Sequence, residues 1–189
     1  MRRPALPLPL LLAAALTAIA APALARNDVT DPEAPRSLAG DSPVAVQWTD
    51  PEAFSDIRLS GNRWEALRGD WVEQIARHVR RQAERELPAG STLDVTIHDI
   101  RRAGMYEPWR GPQMDHVRII KDHYPPRIDL SFVLRDAAGN VVAEGTRELR
   151  DMGFMHRAST TMGSDALRYE KQLIDDWLRR DLRPTIAQR

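Results

Sequence analysis

From Tyr124 to Leu149 the chain carries the pattern of two paired strands. Ile128, Leu130, Phe132 and Leu134 alternate with Asp129, Ser131, Val133 and Arg135, the period-two spacing of a strand with one face in a core. Tyr124-Pro125-Pro126-Arg127 leads into this strand. Asp136-Ala137-Ala138-Gly139-Asn140 then supplies hairpin-loop residues before a returning strand, Val141 to Leu149. Two earlier segments alternate in the same way. Val44, Val46 and Trp48 share one face of a short strand, and Leu93, Val95 and Ile97 share one face of Thr92 to Ile100. Helical spacing marks a stripe of Trp64, Leu67, Trp71, Ile75 and Val79, continued by Ala83 and Leu87. It predicts one long helix from about Arg63 to Leu87, capped by Ser60-Gly61-Asn62 and stopped by Pro88-Ala89-Gly90, with Gly69 permitting close approach to the sheet. Leu167, Leu173, Ile174, Trp177 and Leu178 form the stripe of a final helix, Asp165 to Arg180, capped by Ser164. Asp50-Pro51-Glu52 starts a short helical turn that points Phe54 inward.

This order of elements argues for an α+β fold of two layers. The expected sheet has four to five strands, mostly antiparallel, with the two helices on one face. The alternation itself supports this, because strands covered on both faces read as continuous apolar runs. The first strand, the long helix and the second strand suit a right-handed parallel crossover. Residues 101–123 are long for a connection, with Val117 to Ile120 as a short edge strand inside them, and 150–163 form a second irregular stretch.

The N-terminus changes the picture of where this domain works. Arg2 and Arg3 precede an apolar run from Leu6 to Ala21, and Ala23-Leu24-Ala25 is a small-x-small cleavage site. The run is short and interrupted by Pro7 and Pro9, the pattern of a signal peptide (1–25, cleaved after Ala25) rather than a membrane span. Residues 26–42, rich in proline and charge, read as a flexible leader to a single domain over 43–182, and 183–189 as a tail. Periplasmic localisation is expected, with no later transmembrane segment. The 27 basic and 27 acidic residues balance, so there is no global electrostatic footprint for nucleic acid. The absence of cysteine excludes disulfides, thiolate metal sites and a cysteine nucleophile.

Common catalytic signatures (a nucleophile elbow, a His-Glu-x-x-His helix, a phosphate loop) are missing. Candidate chemistry lies in the two long stretches. Tyr106, Trp109 and Arg110 in Met105-Tyr106-Glu107-Pro108-Trp109-Arg110 are the residue types of binding hot spots. His123, Tyr124 and Arg127 flank the double proline. There Arg127 is either a bidentate anion binder or the partner of a nearby acid such as Asp122 or Glu148. Met152, Met155 and His156 place two thioethers and an imidazole close together, ligand types that suit copper(I). The pairs His98-Asp99, Asp115-His116 and Asp122-His123 suit zinc, although adjacent residues on an extended segment point opposite ways and give at most one ligand each. Each of these groups also has a plain reading as loop packing or solvated surface.

Three stretches carry a family resemblance: Val46 to Ile57, Val117 to Ile128 and Tyr169 to Trp177. Together they resemble domain-of-unknown-function family 3016, small exported proteobacterial proteins without an assigned activity, over about residues 43–180. The resemblance implies an exported bacterial protein and supplies no catalytic residues. The functional expectation is therefore a non-enzymatic periplasmic binding or envelope-interaction module, its partner an envelope protein or a small ligand, without a cofactor. The alternative is a metal-binding protein or metal-dependent hydrolase that uses Zn or Cu through the His/Asp or Met/His groups.

Overall fold

The computed structural model describes residues 28–157 and 163–182. The expected signal peptide, the tail 183–189 and Met162 lie outside the described residues. In chain order the elements are β1 (Val44–Trp48), a 3-10 turn (Pro51–Ala53), α1 (Ser55–Arg58), α2 (Arg63–Leu67), α3 (Trp71–Glu86) and β2 (Thr92–Arg101). Then come β3 (Met105–Tyr106), a 3-10 turn (Pro108–Arg110), β4 (Arg118–Ile119), β5 (Arg127–Arg135), β6 (Val141–Arg150), α4 (Phe154–Arg157) and α5 (Arg168–Trp177), which continues as a π-helical turn (Leu178–Leu182).

The fold is α+β. Its main sheet has four strands in the order β1-β2-β5-β6, with β1 parallel to β2 and the other two pairings antiparallel. Alternate residues build one buried layer: Val44 and Val46, then Leu93, Val95 and Ile97, then Ile128, Leu130, Phe132 and Leu134. Helices α3 and α5 pack on each other and on strands of this sheet. The opposite face is polar, with Gln47 bonded to Thr96, His98 to Ser131 and Arg135 to Asp94. A register shift around His98 keeps Ile97 and Ile100 both in the core. The hairpin at the centre of the pattern closes as expected. Asp136 accepts from the N–H groups of Ala138 and Asn140, and Gly139 adopts φ +85°.

Three expectations need correction. The long helix is two helices, α2 and α3, broken at Arg68-Gly69-Asp70. Gly69 has φ +89° and nothing lies within 4 Å of a Cβ placed on it. It is there for its left-handed backbone rather than for close approach to the sheet. The break turns Trp64 out of the stripe to 65% exposure, whereas Trp71 is buried with its indole N–H on Ala66 O at 3.0 Å. The strand around Val117 to Ile120 does form, as β4, but it pairs with β3 in a separate two-stranded ribbon rather than extending the sheet. Gly104, at φ +83°, sets the turn: a Cβ there would lie 2.8 Å from Ile119 O. The final helix starts at Arg168 rather than Asp165, because the Asp165 carboxylate accepts from Leu167 N at 2.8 Å in a preceding turn. Ser164 is not its cap.

The segment expected as a flexible leader makes defined contacts where it is described. Leu38 N donates to Val46 O and Trp48 N to Arg36 O, both at 2.9 Å, along the outer edge of β1. Val29 N donates to Leu67 O, and the Arg80 guanidinium holds the carbonyls of Leu38, Ala39 and Val44.

Candidate functional site

The stretch 101–125 is fixed to the domain by three buried carboxyl groups, each reached from a different direction. The first is Asp56 on α1. Its side chain has no exposure, and it accepts from Arg102 N (2.8 Å), Nε (2.9 Å) and Nη2 (2.7 Å) and from the Arg118 guanidinium. The cations are themselves seated. Arg102 lies 4.2 Å over the Trp71 ring and donates to Ala66 O, and Arg118 lies 5.1 Å over the Tyr106 ring and donates to Ala103 O. One acid therefore joins α1, the end of β2 and β4.

The second is Glu107, buried between β3 and the 3-10 turn. It accepts from Lys121 Nζ at 2.5 Å, Arg110 Nε at 2.5 Å and the Tyr124 hydroxyl at 2.9 Å. The Lys121 hydrogen bond, with those of Arg110 and Tyr124, outweighs the cost of burial and lowers its pKa from 4.5 to about 2. The same bond to Glu107 raises the Tyr124 phenol above its ordinary value.

The third is Glu170 on α5. Its Oε1 accepts from Ala103 N at 2.6 Å, and Oε2 has no hydrogen-bond partner among the described residues. Burial pushes its pKa up, against the pull of the Ala103 N–H and the nearby Arg118 and Arg102.

The stretch still meets solvent at several points, His116, Asp122 and His123 among them, and one of these points is apolar. Pro108–Arg110 forms a 3-10 turn that presents Trp109 at 66% exposure. The turn rests on the neighbouring helical connection: a Cβ on Gly61 would lie 2.8 Å from Pro108 Cδ, and Asn62 Nδ2 donates to Asp115 O at 3.1 Å. Trp64, exposed on the first turn of α2, and the exposed Leu59 flank that connection. Three large apolar side chains thus face solvent from elements in mutual contact. Asp56 and Glu107 are saturated by cations, and Glu170 is enclosed.

The structure sorts the sequence candidates accordingly. Arg110 and Tyr124 converge on Glu107, while Tyr106 is buried under Arg118. Trp109 is the large apolar member left in solvent, and the Arg110 side chain is itself 44% exposed. His123 is exposed, its ring 4.2 Å from that of Tyr124 and its Nδ1 3.3 Å from Asp122. Arg127 is not beside these groups. It forks onto Asp129 on the polar sheet face, with Glu148 at 3.9 Å, so of the two acids named for it only Glu148 is near. Met152, Met155 and His156 are all exposed, on the turn before α4 and on α4 itself. Among the described residues no three His, Asp or Glu side chains group as metal ligands. Sequence reasoning did not single out Asp56 or Glu107, and it places Glu170 on the solvent side of the final helix, where the structure instead buries it against Ala103. Glu107 stood inside the quoted aromatic motif, but nothing local marks an acid as the one that three distant donors will reach.

Fold and site define an α+β domain that holds an aromatic turn on a buried-charge frame. Residues 42–180 match the family described as Protein of unknown function (DUF3016), and the chain belongs to it. No curated protein and no solved structure matches the chain.

Proposed function

We propose that this chain is an exported, non-enzymatic binding module that docks an envelope protein on the surface formed by Trp109, Trp64 and Leu59. The observation that carries the reading is Trp109, two-thirds exposed on a turn whose flanks are fixed by Glu107 and Gly61. A tryptophan held in place before binding loses little conformational freedom when covered, which is what an interface anchor needs. Export rests on the Arg2-Arg3 start, the apolar run and Ala23-Leu24-Ala25.

The test is photo-crosslinking from position 109 in living cells, with pull-down by wild type, Trp109→Ala and Trp64→Ala. A discrete crosslinked partner that the Ala variants lose supports the proposal. Crosslinks no different from those at the exposed Arg81 on α3 refute it. A truncation of Trp109 should change stability by less than about 0.5 kcal/mol, so loss of capture is not loss of fold. A second reading, copper(I) binding, is favoured by the joint exposure of Met152, Met155 and His156 within five residues. Titration with copper(I) against a Met152→Leu/Met155→Leu variant decides it, and equal affinity of both proteins sinks it.

A further inference from the structure

Each of the three exposed apolar side chains on the Trp109 surface has an arginine beside it in the chain: Arg58-Leu59, Arg63-Trp64 and Trp109-Arg110. Arg68 adds a fourth, one helical turn beyond Trp64. All four arginines are exposed. Three of them are paired with a carboxylate. Arg110 Nε donates to Glu107 at 2.5 Å, Arg68 Nη1 to Glu65 at 3.0 Å and Arg63 Nη2 to Glu52 at 3.4 Å. In the first two pairs the acid lies inside and the base outside. The side chains of Glu107 and Glu65 are 1% and 19% exposed, and those of Arg110 and Arg68 are 44% and 65% exposed.

Such pairing gives the surface a sign. A guanidinium carries its N–H donors in a fixed planar fork, and each of these pairs engages only one of its nitrogens. The remaining donors of Arg110 and Arg68 are open to an approaching group, whereas Glu107 and Glu65 are covered. A carboxylate arriving from outside meets donors already held in place by the acid beneath, so little freedom is lost when it binds. A cation arriving there meets like charge. Two more exposed carboxylates border the patch, and each has a basic side chain against it: Glu52 faces Arg63, and Asp115 faces His116 at 3.5 Å. Hydrogen bonds between charged groups strengthen where water is excluded, and the tryptophans beside these arginines supply the apolar cover.

We propose, on the docking reading above, that the Trp109 surface recognises an acidic segment of its protein partner, with apolar side chains covering Trp109 and Trp64 and carboxylates on Arg58, Arg63, Arg68 and Arg110. A protein segment fits this surface better than an anionic membrane does. It can set donors against Glu52 and Asp115, which a uniformly negative surface would repel.

The experiment is an NMR titration of the folded chain, followed at the indole N–H signals of Trp64 and Trp109. The probe is a synthetic peptide that alternates Asp and Glu with Leu and Phe, compared with the same peptide carrying Asn and Gln in place of the acids. The acidic peptide should saturate at least about tenfold tighter than its amide counterpart and should weaken as salt rises. The double variant Arg58→Gln/Arg63→Gln should weaken it about tenfold, and Arg81→Gln on α3 should leave it unchanged. Arg58 and Arg63 are surface residues and neither covers a buried acid, so the double variant keeps its fold, and Arg110 stays because it neutralises Glu107. Four results would each overturn the proposal: equal affinity for both peptides, no saturable shift on the order of 10 mM acidic peptide, indifference to the double variant, or binding to phosphatidylglycerol vesicles without binding the acidic peptide. Crosslinking from position 109 separates this chemistry from docking itself. A Trp109-dependent partner captured equally by the double variant overturns the acidic assignment and leaves docking standing, whereas the lack of any Trp109-dependent partner removes both.

Discussion

Replacing Asp56 by Asn tests whether buried charge holds the 101–125 stretch in place. The substitution keeps the shape and one acceptor oxygen but removes the charge. Asp56 has no exposed surface, and its partners Arg102 and Arg118 are only 12% and 18% exposed. Two guanidiniums would lose their counter-ion in a site that water barely reaches. Removing one member of a buried pair costs about 3–5 kcal/mol, and the retained oxygen places Asn at the lower end. For a domain of this size about 3 kcal/mol corresponds to a fall in melting temperature of roughly 6–12 °C. Equilibrium urea unfolding, followed by tryptophan fluorescence, should show a lower midpoint at unchanged slope. A loss below about 1 kcal/mol, the range of an exposed ion pair, would refute the assignment. A triple replacement, Asp56→Leu with Arg102→Met and Arg118→Met, should recover most of the loss, because it removes the cations along with the acid.

Glu107, lowered to about 2, ionises more readily in the folded chain than in the unfolded one. Its contribution is complete above about pH 4.5 and is lost as pH falls through 2, so Glu107→Gln should flatten the acid limb of unfolding in that window. The same variant should lower the Tyr124 pKa, read from phenolate absorbance, because the raising hydrogen bond is gone. Glu170 has the opposite sign: its raised pKa means stability that is full below the unfolded value and lost as pH rises through the folded one. Glu170→Gln should therefore gain on the wild type as pH rises towards neutrality, and a constant difference across pH in denaturant midpoints would contradict this. Gly61→Ala drives a methyl into Tyr106 O and Pro108 Cδ and should cost about 1–3 kcal/mol, measurable as a lower melting temperature together with weaker capture through Trp109.

The regular elements were legible because their periodicity is local. Every apolar residue of Ile128 to Leu134 at period two is buried, and so are Trp71, Ile75, Val79 and Ala83 at helical spacing. Trp64 fits the same stripe and is exposed. Spacing carries no record of backbone angle, and Gly69 changes the direction of the chain between the two. The frame of the candidate site was the least legible part. Asp56 meets Arg118 across 62 positions and Glu170 meets Ala103 across 67. No window along the chain contains both members of either contact. Trp109 was legible as a residue type, and its exposure follows from a turn whose flanks are fixed by those distant acids.

The strip Arg36–Leu38 on the outer edge of β1 has a consequence for colloidal behaviour. A parallel-paired strand at the end of a sheet offers a second chain a ready row of N–H and C=O groups. Here part of that row is occupied by the chain itself, through Leu38 N to Val46 O and Trp48 N to Arg36 O. The far edge, β6, carries Glu144, Arg147, Glu148 and Arg150, charges that discourage stacking. Cutting the chain back to residue 42 would thus uncover Val44–Trp48 while removing only the half-buried Val29 and Leu38 from the apolar residues packed on the core. Such a protein should stay folded yet self-associate with rising concentration, so the proline-rich stretch ahead of the domain acts as its guard against aggregation.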